Sequence, residues 1–166
     1  MSYNAVKVAP VDGAGSGEVL YESPTTRIVR FGEAWAAGGV VCKEYSGPHA
    51  AQRLRQESDI LRRLAGIKGV IQWIEGPQGA AQGRQGARGS DQLTLQCIGA
   101  TTLAKVLQAG PCDMDTVLFL GHQLAQILSA VHRAGVIHQD INPANILVTT
   151  AHEAVLIDFD LAVLAA

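Results

Sequence analysis

The chain has 166 residues, 48% of them hydrophobic and 17% charged, and a formal net charge of −2. That is enough chain for one domain, or one and part of another, and the composition is that of a sequence able to bury a core, which excludes a disordered tail. The near-neutral charge gives no long-range field toward nucleic acid or an anionic membrane, and three scattered cysteines, Cys42, Cys97 and Cys112, with no C-x-x-C pairing, exclude a disulfide framework and a cysteine zinc site.

Residues 1–17 are rich in Gly, Ser and Pro without a sustained period and read as a flexible leader. They lack a basic start followed by an apolar stretch, so the expected location is cytoplasmic, without membrane insertion. Glu18 to Glu22, Arg27 to Phe31 and Gly39 to Tyr45 are short, β-branched or alternating, and separated by turn residues, as antiparallel strands are. Beyond Pro48, Leu54, Ile60, Leu61 and Leu64 recur at helical spacing until Gly66. Val70 to Glu75 and Gln92 to Ile98 are again strand-like. The Gly, Gln and Arg tract between them predicts a mobile loop over 76–91.

Thr101 to Gln108 is expected to form a short helix. Asp113 to Ala134 is expected to form a long one, with Val117, Leu118, Leu120, Leu124, Ile127, Leu128 and Val131 on a stripe too broad for one partner, ended by Gly135. Three short apolar runs follow: Val136 to Gln139, Ile146 to Thr149 and Val155 to Ile157. The last two can pair as a hairpin, which gathers the oxygen-bearing side chains of Asp140, Asn145 and Asp158. Converging hard oxygen ligands suit Mg2+, which fills its remaining positions with water and phosphate oxygens. Arg53, Arg55, Arg62 and Arg63 read as a solvated helix face, and His138 as a packed structural residue.

On these residues the sequence resembles a protein kinase of the eukaryotic-like bacterial kind. His138, Asp140 and Asn145 match H-R-D-L-x-x-x-N, Asp158 and Phe159 match D-F-G, Val40 to Lys43 resembles V-A-I-K, and Glu57 falls on the following helix. HQDINPANIL is also similar to N-terminal kinase regions of large bacterial proteins that continue into an ATPase and a sensor histidine kinase.

The resemblance implies an α+β fold. A five-stranded antiparallel sheet and a helix over 18–98 would make a complete N-terminal lobe, and 99–166 would be the first part of a helical C-terminal lobe. It implies ATP and Mg2+ as cofactors and transfer of the γ-phosphoryl group to a serine or threonine hydroxyl of a protein substrate. Lys43, held by Glu57, would bind phosphates; Asp140 would receive the hydroxyl proton; Asn145 and Asp158 would hold Mg2+. Leu95, Gln96 and Ile98 would form the back of the adenine pocket and the hinge, and Val29, Val41 and Leu147 would line the base.

The sequence also departs from the family pattern. No G-x-G-x-x-G precedes Lys43: either the turn Ser-Pro-Thr-Thr joins the first strands, or a longer hairpin uses Gly13 to Gly17. Gln139 replaces the arginine that receives an activation-loop phosphate in many kinases, Asn142 stands where lysine is common, and Asp160 replaces the glycine of D-F-G. No activation segment or A-P-E occurs before Ala166, so a partial domain that continues into, or associates with, further domains is expected. Two other readings fit the motifs: a small-molecule phosphotransferase of the aminoglycoside-kinase type, and a non-catalytic nucleotide-binding or scaffold module.

Overall fold

The structure is a computed structural model that describes residues 17–32, 39–74 and 91–165. The expected leader, Gly17 excepted, and the expected loop, Asp91 excepted, lie outside the described residues.

Strands β1 (Glu18–Glu22), β2 (Thr26–Phe31), β3 (Val40–Tyr45) and β4 (Asp91–Gln96) form one antiparallel sheet in that order. Ser23 closes the first hairpin: its amide donates to the Thr26 carbonyl at 2.8 Å, and its hydroxyl accepts from the Thr26 amide at 3.0 Å. The short alternative is therefore the one adopted, because the serine satisfies the turn that glycines would otherwise have to make.

The fifth strand expected from Val70 to Glu75 is reduced to two isolated bridges, Val70 with Leu156 and Trp73 with Leu95. Two backbone bonds, Gln96 N–H to Gln72 O and Ile74 N–H to Thr94 O, both at 2.9 Å, tie it to β4. Ile71 N–H instead donates to Leu156 O, and the Gln72 side chain folds back onto Gly66 N–H and Val70 O. The segment thus divides its backbone bonds between two sheets, which stops a continuous ladder. Glu75 lies outside the described residues.

Helix α1 (Ala50–Arg63) begins just after Pro48 and buries Glu57, Ile60 and Leu61, with Leu64 behind them, against β3 and β4. The expected helix from Thr101 starts later: β-branched Thr101 and Thr102 belong to strand β5 (Ala100–Thr102), and the Thr102 hydroxyl caps helix α2 (Leu103–Ala109) by accepting from Lys105 N–H. Helix α3 (Met114–Arg133) has Asp113 as its N-cap, accepting from Thr116 N–H at 2.7 Å. It ends at Ala134, where Gly135 takes φ 72°. That left-handed step is what glycine supplies without steric cost.

Strand β6 (Val136–Ile137) follows, then a 3-10 turn (Pro143–Asn145), β7 (Ile146–Thr149), β8 (Ala154–Leu156) and β9 (Val163–Leu164). The expected hairpin is present, with Ile146 opposite Leu156 and Leu147 opposite Val155, and β5 pairs with β7 on its other side. The β6–β9 pair was not apparent in the sequence, since two-residue strands carry no period. One apolar cluster unites the two halves: Leu61, Leu64, Leu93 and Leu95 pack in the same body as Leu120, Ile127, Val131, Leu156 and Phe159.

Candidate active site

Lys43 is set by the alternation of β3. Val41, Lys43 and Tyr45 share one face of the sheet, and Cys42 faces the other way. The Lys43 side chain is only 4% exposed, a placement that needs paired charge. Its Nζ donates to Glu57 Oε2 at 2.8 Å and to Asp158 Oδ1 at 2.5 Å. Burial disfavours the ammonium, but the two carboxylates outweigh it and raise the Lys43 pKa above its ordinary value.

Glu57, fully buried, has every oxygen engaged. Oε2 accepts from Lys43 and from the Tyr45 hydroxyl, and Oε1 accepts from the Phe159 amide at 3.2 Å. A carboxylate with three donors is stable in the interior, and it connects β3, α1 and the strand-end segment that carries Asp158. Burial, then the charge of Glu57, raises the Tyr45 pKa far above its usual value, so the phenol stays a donor.

A second cluster lies on the turn between β6 and β7. Asp140 Oδ1 accepts from Asn142 Nδ2 at 2.9 Å, and Oδ2 accepts from Asn145 Nδ2 at 2.8 Å. Asn142 also caps the 3-10 turn, its Oδ1 accepting from Ala144 N–H. The carboxylate is thereby oriented from both sides.

His138 is buried, packs on the Phe159 ring at 4.6 Å between centroids, and accepts Asp140 N–H on Nδ1. With Nδ1 an acceptor, Nε2 is the protonated nitrogen, donating to Ile157 O at 3.0 Å. His138 is a structural pin of the turn. Asn145 O accepts from Ile157 N–H at 3.0 Å, so the chain places Asn145 and Asp158 at neighbouring positions of the hairpin.

The register corrects one expectation. Val29 pairs with Cys42, whereas Ile28 pairs with Lys43 and Arg30 with Val41. Directly opposed residues share a face, so Val29 lies on the side away from Lys43 and does not line the site. Val41 and Leu95 are opposed and lie on the Lys43 face. Leu147 alternates with Ile146 and Val148, which are in the core, and so faces away from it.

In the expected hinge, Cys97 N–H donates to Gly39 O at 3.3 Å, while among the described residues no backbone partner engages Ile98. Gln96 and Ile98 also line a groove of about 810 Å3 together with Gln72 and Thr149.

Asp158 is half-buried and holds φ 64°, a left-handed conformation uncommon outside glycine. The donor chemistry suits Mg2+. Asn145 commits its amide nitrogen to Asp140 and keeps a carbonyl oxygen, and Asp158 contributes a carboxylate. Among the described residues no group of three or more His, Cys, Asp or Glu converges, so protein ligands alone make no closed cage.

These two clusters sit on the elements expected of a phosphoryl-transfer site, and residues 32–166 match the family described as Protein kinase domain. The chain belongs to the protein kinase family. Among its relatives, Mitogen-activated protein kinase HOG1A of Wallemia ichthyophaga is 29% identical over 124 residues, which is 74% of this chain and 31% of that kinase. Serine/threonine-protein kinase PknK of Mycobacterium tuberculosis is 45% identical over 56 residues, 34% of this chain and 5% of the kinase. PknD of the same organism is 38% identical over 71 residues, 42% of this chain and 11% of the kinase. The matched stretches thus span less than a third of each of these relatives.

Three side chains that support this candidate site have no role assigned by the sequence pattern: Tyr45, Asn142 and Arg53. Tyr45 was legible in principle, since it lies two positions beyond Lys43 on the same strand face. Asn142 opens an N-P-x-N run that favours a side-chain cap. In sequence Arg53 belongs to an expected solvated helix face. Its side chain is 27% exposed and instead pairs with Asp160.

Proposed function

We propose that this kinase chain binds ATP with Mg2+ between the β1–β4 sheet and the β7–β8 hairpin, and transfers the γ-phosphoryl group to a serine or threonine hydroxyl of a protein substrate. The observation that carries the reading is the buried Lys43 ammonium held between Glu57 and Asp158. A lysine so placed is a fixed positive charge for the α- and β-phosphates. Asn145 and Asp158 would hold Mg2+, which neutralises phosphate charge when bound. Val41, Leu95 and Leu147 would enclose the adenine, with the backbone of Gln96 and Ile98 as its hydrogen-bonding edge.

Asp140, fixed by Asn142 and Asn145, would accept the hydroxyl proton as the new O–P bond forms and the bond to the β-phosphate bridging oxygen breaks, releasing ADP. Little covalent chemistry is asked of the protein, so positioning and electrostatics carry the rate. The lobe boundary near residue 98, a cytoplasmic location and further domains in the same protein belong to this proposal. Among the described residues no helix is long and apolar enough to cross a membrane.

Titration with a fluorescent ATP analogue, with and without Mg2+, tests the site. Affinity should rise with Mg2+, Asp158→Ala should abolish that rise, and Asp140→Asn should leave binding nearly intact while removing phosphoryl transfer in the full-length protein. Binding indifferent to both Mg2+ and Asp158→Ala would overturn the metal assignment.

A further inference from the structure

Arg53 lies one helical turn before Glu57 on α1, so both side chains leave the same face of the helix. Asp160 lies two residues after Asp158. The Arg53 Nε is 3.2 Å from each Asp160 carboxylate oxygen, and Nη2 donates to Oδ2 as well. The rest of the guanidinium reaches the β1–β2 turn, with Nη2 donating to Thr26 Oγ1 at 3.0 Å and Nη1 to Thr25 O at 3.2 Å. The ring of Tyr45 lies under it, 4.9 Å from Cζ to centroid.

Two neighbouring bonds extend the attachment: Gln56 Nε2 donates to Ala162 O at 3.1 Å, and Phe159 N–H donates to Glu57 Oε1. Arg53, Gln56 and Glu57, at i, i+3 and i+4, therefore hold residues 159–162 along one face of α1.

This explains why a carboxylate can stand where the family has glycine: Asp160 is the counter-ion of an arginine on the helix. It also addresses a difficulty at Asp158. In the structure Asp158 is held by Lys43, yet the proposed site asks Lys43 to bind phosphates and Asp158 to bind Mg2+, which loosens their mutual bond. A left-handed non-glycine residue keeps that conformation only if its surroundings impose it.

We infer that Arg53, acting through Asp160, is a positioning residue that keeps the Asp158 carboxylate at the metal position and fixes the β1–β2 turn to the same helix. This rests on the proposed role of Asp158. The clamp is internal to the described chain and needs no phosphate on another segment.

The test uses Arg53→Gln, Asp160→Asn, the double variant and Arg53→Lys in the full chain, with two readouts. In titrations with a fluorescent ATP analogue, each neutralising variant should reduce the Mg2+-dependent gain in affinity by about tenfold, with metal-free binding unchanged. The double variant should be no worse than either single one, since the two residues act as a pair. Arg53→Lys should recover part of the gain.

Hydrogen exchange without nucleotide should be faster over 158–162 in all three neutralising variants. A wild-type Mg2+ gain in both single variants, equal losses with and without metal, or additive losses in the double variant would overturn the inference. If the wild-type protein itself shows no Mg2+ gain, it is the metal role of Asp158 that fails. Hydrogen exchange then decides the clamp: unchanged exchange over 158–162 overturns it, and acceleration in all three neutralising variants sustains it.

Discussion

The buried centre of the site is Glu57, and its neighbours govern how stability depends on pH. Tyr45 donates to Glu57 from a fully buried position, and its pKa is raised above the ordinary 10.0 by burial and then by the Glu57 charge. A group whose folded pKa is raised contributes stability fully below its unfolded pKa and loses it as pH rises toward the folded value. Stability should therefore fall from about pH 10 upward, where the unfolded phenol ionises and the folded one does not.

Lys43, raised above 10.5, acts in the same sense from slightly higher pH, and the buried Cys42 thiol does so from about 9. Tyr45→Phe isolates the phenol. It should cost about 1–3 kcal/mol at neutral pH, because Glu57 loses a donor, and it should flatten the alkaline limb of a urea-denaturation series. An unchanged slope between pH 9 and 11 would show that the phenol ionises freely in the folded state.

Helix α3 shows how an element's sequence can specify more than the chain buries. Leu120, Ile127 and Val131 are in the core, while Leu118 is 62% exposed and Met114, Val117 and Phe119 are exposed beside it. The broad stripe read from the sequence therefore divides into a packed face and a bare one. Leu120→Ala should cost about 2–5 kcal/mol through the cavity it leaves, whereas Leu118→Ala should stay within about 0.5 kcal/mol. Chemical denaturation of the two variants checks this, and equal costs would mean that the bare face is covered in solution.

The loop after α1 depends on one close approach. Gly69 has φ 81°, and a Cβ there would overlap the Ile127 side chain of α3. Its carbonyl accepts from Leu156 N–H at 2.7 Å, so the α1 loop, α3 and β8 converge on that residue.

At the scale of the molecule, the sheet and the helical half share one apolar cluster. Phe159 is fully buried within it, in contact with His138 and with its amide on Glu57. The two halves should therefore unfold together, giving one calorimetric transition. Phe159→Ala should lower the whole transition by about 3–5 kcal/mol rather than uncouple one half. Two resolved transitions in the wild-type chain would contradict the shared core.

The sequence by itself determined the chemistry-bearing residues and their order. A lysine on an alternating strand, a glutamate on the next helix, and Asp and Asn around a Pro turn are local patterns, each set by side-chain period or turn preference. The hairpin of Ile146 to Leu156 was legible for the same reason, since two short apolar runs on either side of polar residues have few other ways to pair.

Only the tertiary structure decided what depends on register and on contacts distant in sequence. Val29 was expected to line the base, but its pairing with Cys42 puts it on the face away from Lys43, and Ile28, one residue earlier, is the one opposite Lys43. The Val70 to Glu75 segment has strand composition, but competition from β8 and from the Gln72 side chain leaves it two isolated bridges, Val70 to Leu156 and Trp73 to Leu95. Arg53 carries no local sign of its role, because Asp160 lies 107 residues away along the chain and meets it only when the fold brings α1 against the end of the hairpin.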